Sequence, residues 1–319
     1  MKKMMLFLRM RLVLLLCAVF VSLPTQAAPQ GWSVLLEPVQ LAQILDSASE
    51  VRVLHVTGDY SAGHIPGAIP APYPQFRGPQ ENPGEVLDLS VLTALVQRLG
   101  ITATTPVVVT HGGANPSDFG AAARVYWTLK SLGVQDLAVL NGGFAAWSGA
   151  NLPVSTVAST VPASSFNPQW SNAWRISTPE LEALVADGSG RLIDARPPGF
   201  FEGLLASTGR PGTIRGAGNL NFETFFEGNR VKPQGQVSTI LASYPEQSAP
   251  VTVSFCNTGH QASVNWFIMS ELQGVPNTRL YAESMTEWTM ADRPMDNEPS
   301  RIKHYWDMTT GWFGRLLGS

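Results

Sequence analysis

Four short segments of this chain recur in the same order further along it. Pro66-Gly67-Ala68 returns as Arg215-Gly216-Ala217 at an offset of 149 residues. Pro106-Val107-Val108-Val109-Thr110 returns as Pro250-Val251-Thr252-Val253-Ser254 at 144, and Gly133-Val134 as Gly274-Val275 at 141. Phe144-Ala145-Ala146-Trp147 matches Met285-Thr286-Glu287-Trp288, again at 141. Two copies of such length are domains rather than the units of a solenoid. The chain therefore reads as one fold used twice.

Each copy alternates short apolar runs with longer amphipathic ones. In the first, residues 51–56, 107–110 and 137–140 read as buried strands, and 92–99 and 121–132 as helices. In the second, 191–195, 251–255 and 278–281 read as strands and 261–272 as a helix. A further helix over 177–186 opens on the start signal Ser177-Thr178-Pro179-Glu180. Apolar strands alternating with helices predict an α/β fold with parallel sheets. The stretch 150–172, rich in Pro, Ser and Asn, reads as a surface linker.

The N-terminus carries Lys2, Lys3, Arg9 and Arg11, then an apolar run over 12–23, then Pro24-Thr25-Gln26-Ala27-Ala28. That order predicts a secretory signal over residues 1–27, cut after Ala27. The competing reading is a retained anchor, against which the run falls short of the roughly 20 residues a span needs. Export predicts a periplasmic or secreted product with no stable membrane span once the signal is removed. Removing four bases and no acid shifts the net charge from −3 to −7. No basic excess is left to hold a phosphate backbone, so nucleic acid is not an expected partner. Cys17 leaves with the signal, and Cys256 is then the only thiol. It is either a buried spectator or a free thiol with a task.

Cys256 directly follows the strand expected over 251–255, and Asn257-Thr258-Gly259-His260 leads into the next helix at Gln261. Ligands of open α/β sheets bind beyond the carboxyl ends of strands. A helix start there offers unpaired N–H groups, and Gly259 lets the loop curl so that they converge. Such a cradle favours thiolate. The phosphatase pattern Cys-x5-Arg is not met, because the sixth residue after Cys256 is Ala262. His55, His64, His111, His260 and His304 show no metal-ligand spacing, and no metal or cofactor is expected.

These segments together resemble the tandem-domain rhodanese family, the sulfurtransferases of the thiosulfate and 3-mercaptopyruvate type. The first copy carries Gly63-His64-Ile65-Pro66-Gly67-Ala68 and Val139-Leu140-Asn141-Gly142-Gly143-Phe144-Ala145-Ala146-Trp147. The second carries Leu192-Ile193-Asp194-Ala195-Arg196, the loop from Cys256, and Glu283-Ser284-Met285-Thr286-Glu287-Trp288. The resemblance implies two rhodanese-like domains: 28–155, catalytically silent, and 173–297, catalytic, joined by a linker over 156–172 and followed by a tail over 298–319. It implies a sulfane sulfur carried as a persulfide on Cys256, taken from a small anionic donor and passed to a thiophilic acceptor such as cyanide or a thiol. It implies that the backbone of Asn257, Thr258, Gly259, His260 and Gln261 cradles the persulfide. Arg196 is expected to reach the donor, against an alternative ion pair with Glu202. His260 either adds charge or packs on the first helical turn. The loop departs from both family patterns: it has neither the basic residues of thiosulfate-preferring members nor the Gly-Ser pair of mercaptopyruvate-preferring ones. His111 stands where the first copy would need a cysteine. The rival reading is an exported carrier that holds sulfur or a soft metal ion on Cys256 without turnover.

Overall fold

A computed structural model describes residues 28–47, 50–244 and 249–299. The signal expected over 1–27 and the tail beyond 299 lie outside the described residues.

The first copy comprises β1 (Leu35–Leu36), α1 (Pro38–Ser47), β2 (Arg52–His55), β3 (Ile69–Pro70), α2 (Leu89–Arg98), β4 (Val107–Thr110), α3 (Pro116–Ser131), β5 (Leu137–Leu140) and α4 (Gly143–Gly149). Its five strands run parallel in the order β1-β5-β4-β2-β3. β4 and β5 are buried along their whole length, which is why they read as unbroken apolar runs rather than alternating ones.

The second copy comprises α5 (Thr178–Asp187), β6 (Arg191–Asp194), α6 (Pro198–Phe201), β7 (Thr213–Ile214), β8 (Gly218–Asn219), β9 (Phe226–Glu227), β10 (Arg230–Val231), α7 (Gln234–Ser243), β11 (Thr252–Phe255), α8 (His260–Trp266), β12 (Thr278–Leu280), α9 (Ser284–Trp288) and β13 (Met295–Asp296). Its main sheet is parallel in the order β12-β11-β6-β8. Arg175 bridges to Leu280 at the β12 edge, the place β1 takes on β5. The duplication extends to single bonds. Trp147 and Trp288 each donate the indole N–H to a proline carbonyl six residues on, Pro153 and Pro294.

The helix expected over 261–272 is two pieces, α8 and a π-helical turn over Phe267–Leu272. The helix expected from 121 starts earlier, at Pro116, because Asn115 caps it by accepting from Ser117 and Asp118 N–H. The stretch between the domains is fastened to the first domain. The His64 ring nitrogens lie 2.8 and 3.1 Å from the Tyr60 and Val157 carbonyls, which accept from the protonated nitrogen, Ser155 pairs with the His64 backbone, and Ser171 N–H donates to the Ser131 carbonyl. Phe166 and Trp170 pack on the core.

α3 decides how the two copies meet. Twelve of its residues, including Phe119, Arg124 and Trp127, are buried, as expected of a helix covered on all sides. One face packs on its own sheet and the other on α8. Phe119 and Tyr126 meet Phe267 edge-to-face at 5.4 and 5.1 Å. Gly120 allows the close approach, since a Cβ there would stand 2.9 Å from His260 Nε2. One continuous apolar core therefore crosses the domain boundary.

Candidate active site

β11 delivers Cys256 to the carboxyl edge of the second sheet, facing α3. The thiol is buried, at 1% exposure, and is the free cysteine of the described residues. The loop after it is held from one side. Ser284, at the start of α9 with φ of +55°, accepts from Cys256 N–H at 3.1 Å and Gly259 N–H at 3.0 Å, and donates to the Tyr281 carbonyl at 2.7 Å. The Cys256 carbonyl accepts from Met285 N–H, and that of Asn257 from both Thr286 N–H and its hydroxyl. With its carbonyls drawn toward α9, the loop leaves the N–H groups of Asn257, Thr258, His260 and Gln261 without a protein acceptor among the described residues. Those are the donors an anion at Cys256 would need.

Gly259 has φ of +70° and caps α8 with no side chain. A Cβ there would strike the Ala282 carbonyl oxygen and stand 2.5 Å from Arg124 Nη1. Glycine is required on both counts, conformation and space.

Arg196 is 1% exposed. Its Nε and Nη2 donate to the Asp194 carboxylate, the latter at 2.5 Å, while Nη2 also donates to the Gly212 carbonyl at 2.7 Å. Nη1 donates to Asn257 Oδ1 at 3.1 Å. Thr213 completes the carboxylate's shell. The alternative pair with Glu202 is corrected: the guanidinium pairs with Asp194 two residues away, and its remaining N–H reaches Asn257. The cause is local. Asp194 ends β6, and its Oδ1 also accepts the Arg196 backbone N–H, so the two side chains start from one turn.

His260 bridges the domains. Nδ1 lies 3.0 Å from Tyr73 Oη and Nε2 3.0 Å from Ser117 Oγ. Burial, with Arg77 and Arg124 adding to it, pushes its pKa down to about 4. It is neutral near pH 7 and brings no charge to the loop. Thr258 lines a cavity of about 470 Å³ together with Gln80, Glu81, Pro83 and Thr286. Gln261 is half-buried at the second position of α8. A larger cavity, about 700 Å³ between Arg191, Ile240 and Tyr244, touches no residue of the loop.

The sequence reading missed the residue by which the first domain reaches the loop. Arg124 on α3 donates to the Gly84 carbonyl at 2.8 Å, and Nη1 reaches toward that of Ala282 at 3.5 Å. Its only sequence signal is a lone charge in the apolar run from Phe119 to Leu129. Asn82 Nδ2 donates to Glu287, so the segment around Gly84 lies across the loop. Among the described residues no group of three His, Cys, Asp or Glu is placed to hold a metal ion.

Two segments, 35–150 and 177–291, match the rhodanese-like domain. This chain belongs to the rhodanese family. It is 30% identical over 296 residues to a provisional thiosulfate sulfurtransferase of Synechococcus elongatus, covering 88% of this chain and 90% of that one. It is 28% identical over 261 residues to the sulfur carrier protein TtuD of Thermus thermophilus, covering 75% and 88%. The 3-mercaptopyruvate sulfurtransferase SseA of Escherichia coli superposes with a TM-score of 0.70 at 21% identity, over 79% of this rhodanese and 98% of SseA. At that identity SseA attests the fold: two parallel α/β domains in tandem.

Proposed function

We propose that this sulfurtransferase uses Cys256 as its nucleophile. The thiolate attacks the sulfane sulfur of a small anionic donor. The bond between that sulfur and the rest of the donor breaks, and its electron pair leaves with the sulfite or carbon fragment. The persulfide then gives its outer sulfur to cyanide or a thiol, and the Cys256 thiolate is restored. The observation that carries this reading is the juxtaposition of a free thiol at a strand end with four loop N–H groups that no protein acceptor takes. Those donors suit a group that gains negative charge during reaction.

The donor belongs to the thiosulfate or 3-mercaptopyruvate class, since both present sulfane or transferable sulfur beside an anionic group. A donor panel with thiocyanate or sulfide readout tests this. Catalytic turnover in the wild type and background rates in Cys256→Ser are expected, with one added sulfur, about 32 Da, on Cys256 of the donor-treated protein. The relative named as a sulfur carrier favours a second reading, a carrier without turnover. Stoichiometric loading that never exceeds one sulfur per chain would favour it. We read the protein as exported, on residues 1–27. N-terminal sequencing of native material should begin at Ala28. No helix of the described residues is long and apolar enough to cross a membrane.

A further inference from the structure

Arg124 presents an unusual electrostatic situation. It is 1% exposed and lies in the middle of the domain interface. No carboxylate among the described residues forms an ion pair with it. Its contacts are the two backbone carbonyls of Gly84 and Ala282, one from each domain, and the face of Trp127, 4.9 Å from the guanidinium carbon. Nε is buried with no partner at all. Glu283 is bound to Arg175 through Oε1 and acts on Arg124 through its charge without an ion pair. A buried cation without a counter-ion is costly and is retained where a negative charge arrives.

The charge that arrives is at the loop. Nη1 lies against Gly259, 2.5 Å from where a Cβ would stand. A negative charge on Cys256 favours the protonated form of Arg124, and Tyr73 feels Cys256 as well. Tyr73 carries a second cation. Arg77 Nη1 donates to its hydroxyl at 3.0 Å, with the guanidinium carbon 5.2 Å from the ring centre. Arg77 is half-buried and, among the described residues, has no ion-pair partner. The loop itself has no Lys or Arg, and Arg196 is spent on Asp194.

We propose that the first domain supplies the working positive charge of the site: Arg124, beneath the loop, opposes the negative charge on the Cys256 sulfur, and Arg77, at its edge, meets the anionic donor. The domain that lacks a nucleophile is then half of the catalytic apparatus. This rests on Cys256 being the nucleophile, so the experiment includes a readout that does not require sulfur transfer.

Wild type, Arg124→Met, Arg124→Lys and Arg77→Gln, each on the full chain, are alkylated with iodoacetate and with iodoacetamide, which differ by one charge. The iodoacetate-to-iodoacetamide rate ratio at Cys256 should fall about threefold or more in Arg77→Gln at low salt, and less at high salt. With donors, Arg124→Met should form the persulfide about tenfold or more slowly with thiosulfate and 3-mercaptopyruvate alike, and Arg124→Lys should recover part of that loss. Arg77→Gln should raise KM for the dianion thiosulfate more than for the monoanionic donor and leave kcat unchanged. Equal impairment in Arg124→Met and Arg124→Lys would reduce Arg124 to packing and overturn its assignment. An unchanged alkylation ratio in Arg77→Gln would overturn that of Arg77, and this holds even if Arg124→Met does not fold. A wild type that loads no sulfur but shows the expected alkylation ratios would sink the nucleophile reading and leave the charge assignment standing.

Discussion

The two domains place different residues at one address. Arg52 pairs with Val107 and His55 with Thr110 in the first sheet, as Arg191 pairs with Thr252 and Asp194 with Phe255 in the second. By that register His111 corresponds to Cys256, His55 to Asp194 and Thr57 to Arg196. The loops that follow are finished differently. In the first domain Gly112 N–H is taken by Thr57, Ala114 N–H by Asp118, and the N–H groups of Ser117 and Asp118 by Asn115. In the second, Ser284 takes two N–H groups and the helix cap is a bare glycine. In the first loop side chains take the N–H groups of Gly112, Ala114, Ser117 and Asp118; in the cysteine loop those of Asn257, Thr258, His260 and Gln261 have no protein acceptor among the described residues. The two loops differ, then, in which N–H groups are capped as well as in the thiol.

The largest expected effect breaks the comparison directly. Moving the thiol, as Cys256→Ser with His111→Cys, should leave sulfur transfer at background. In the first loop side chains already hold the N–H groups of Gly112, Ala114, Ser117 and Asp118, and no arginine stands against its glycines. Measurable turnover in that double variant would show that a thiol at the strand end suffices.

Arg196 tests the register partner of Thr57. Removing one member of a buried ion pair strands the other, so Arg196→Ala should cost about 3–5 kcal/mol of stability. Replacing both members, as Asp194→Asn with Arg196→Met, should cost clearly less. Urea unfolding of the three proteins decides it. A stable Arg196→Ala with only its donor KM raised would return Arg196 to the donor and contradict the bonding described above.

Much of this was legible in the sequence, and the omissions share a cause. The repeats located both sheets, the strands over Val107–Thr110 and Leu137–Leu140 fall where the apolar runs put them, and the Cys256–Gly259 turn follows from a strand running into a glycine. Two-residue strands such as β7 carry no periodicity to read, and α1 and α7 went unremarked between stronger signals. The Glu202 pairing failed because an arginine two residues past an aspartate pairs with it locally. Arg124 was missed for the opposite reason: its partners Gly84 and Ala282 lie 40 and 158 residues away. Ser284 reaches Cys256 and Gly259 across 28 and 25 residues, a separation that no local pattern shows.

The two histidine positions sharpen the comparison with acid. Burial holds His111 and His260 each at about 4, against about 6.5 when unfolded, and lowers His55 as well. The folded state therefore binds fewer protons than the unfolded one. Their stabilisation is complete above pH 6.5 and is lost as pH falls toward 4, at about 2 kcal/mol per imidazole between pH 6.5 and 5. Urea midpoints across that window should decline, and His260→Gln should flatten the slope by roughly half if His111 accounts for the rest. An unchanged slope would mean that the bridge from His260 to Tyr73 and Ser117 accepts a proton without strain.

The smallest effect separates the caps. Asn115 accepts from two N–H groups at the start of α3, and its loss exposes to water donors that were satisfied by the side chain. Asn115→Ala should cost about 1 kcal/mol of stability. It should leave sulfur transfer nearly unchanged, because the donors it frees belong to the silent loop. The mirror change is Gly259→Asn, which offers α8 a comparable cap. Asparagine tolerates the left-handed backbone better than most residues, so conformation is not the main obstacle. Its Cβ, however, would collide with the Ala282 carbonyl and Arg124. The two caps are thus not interchangeable: one can be removed from the first loop cheaply, and none can be added to the second without displacing the arginine. Thermal melting and turnover of Asn115→Ala, set beside Gly259→Asn, measure that asymmetry. A large activity loss in Asn115→Ala with little change in melting would show that the first loop takes part in the chemistry after all.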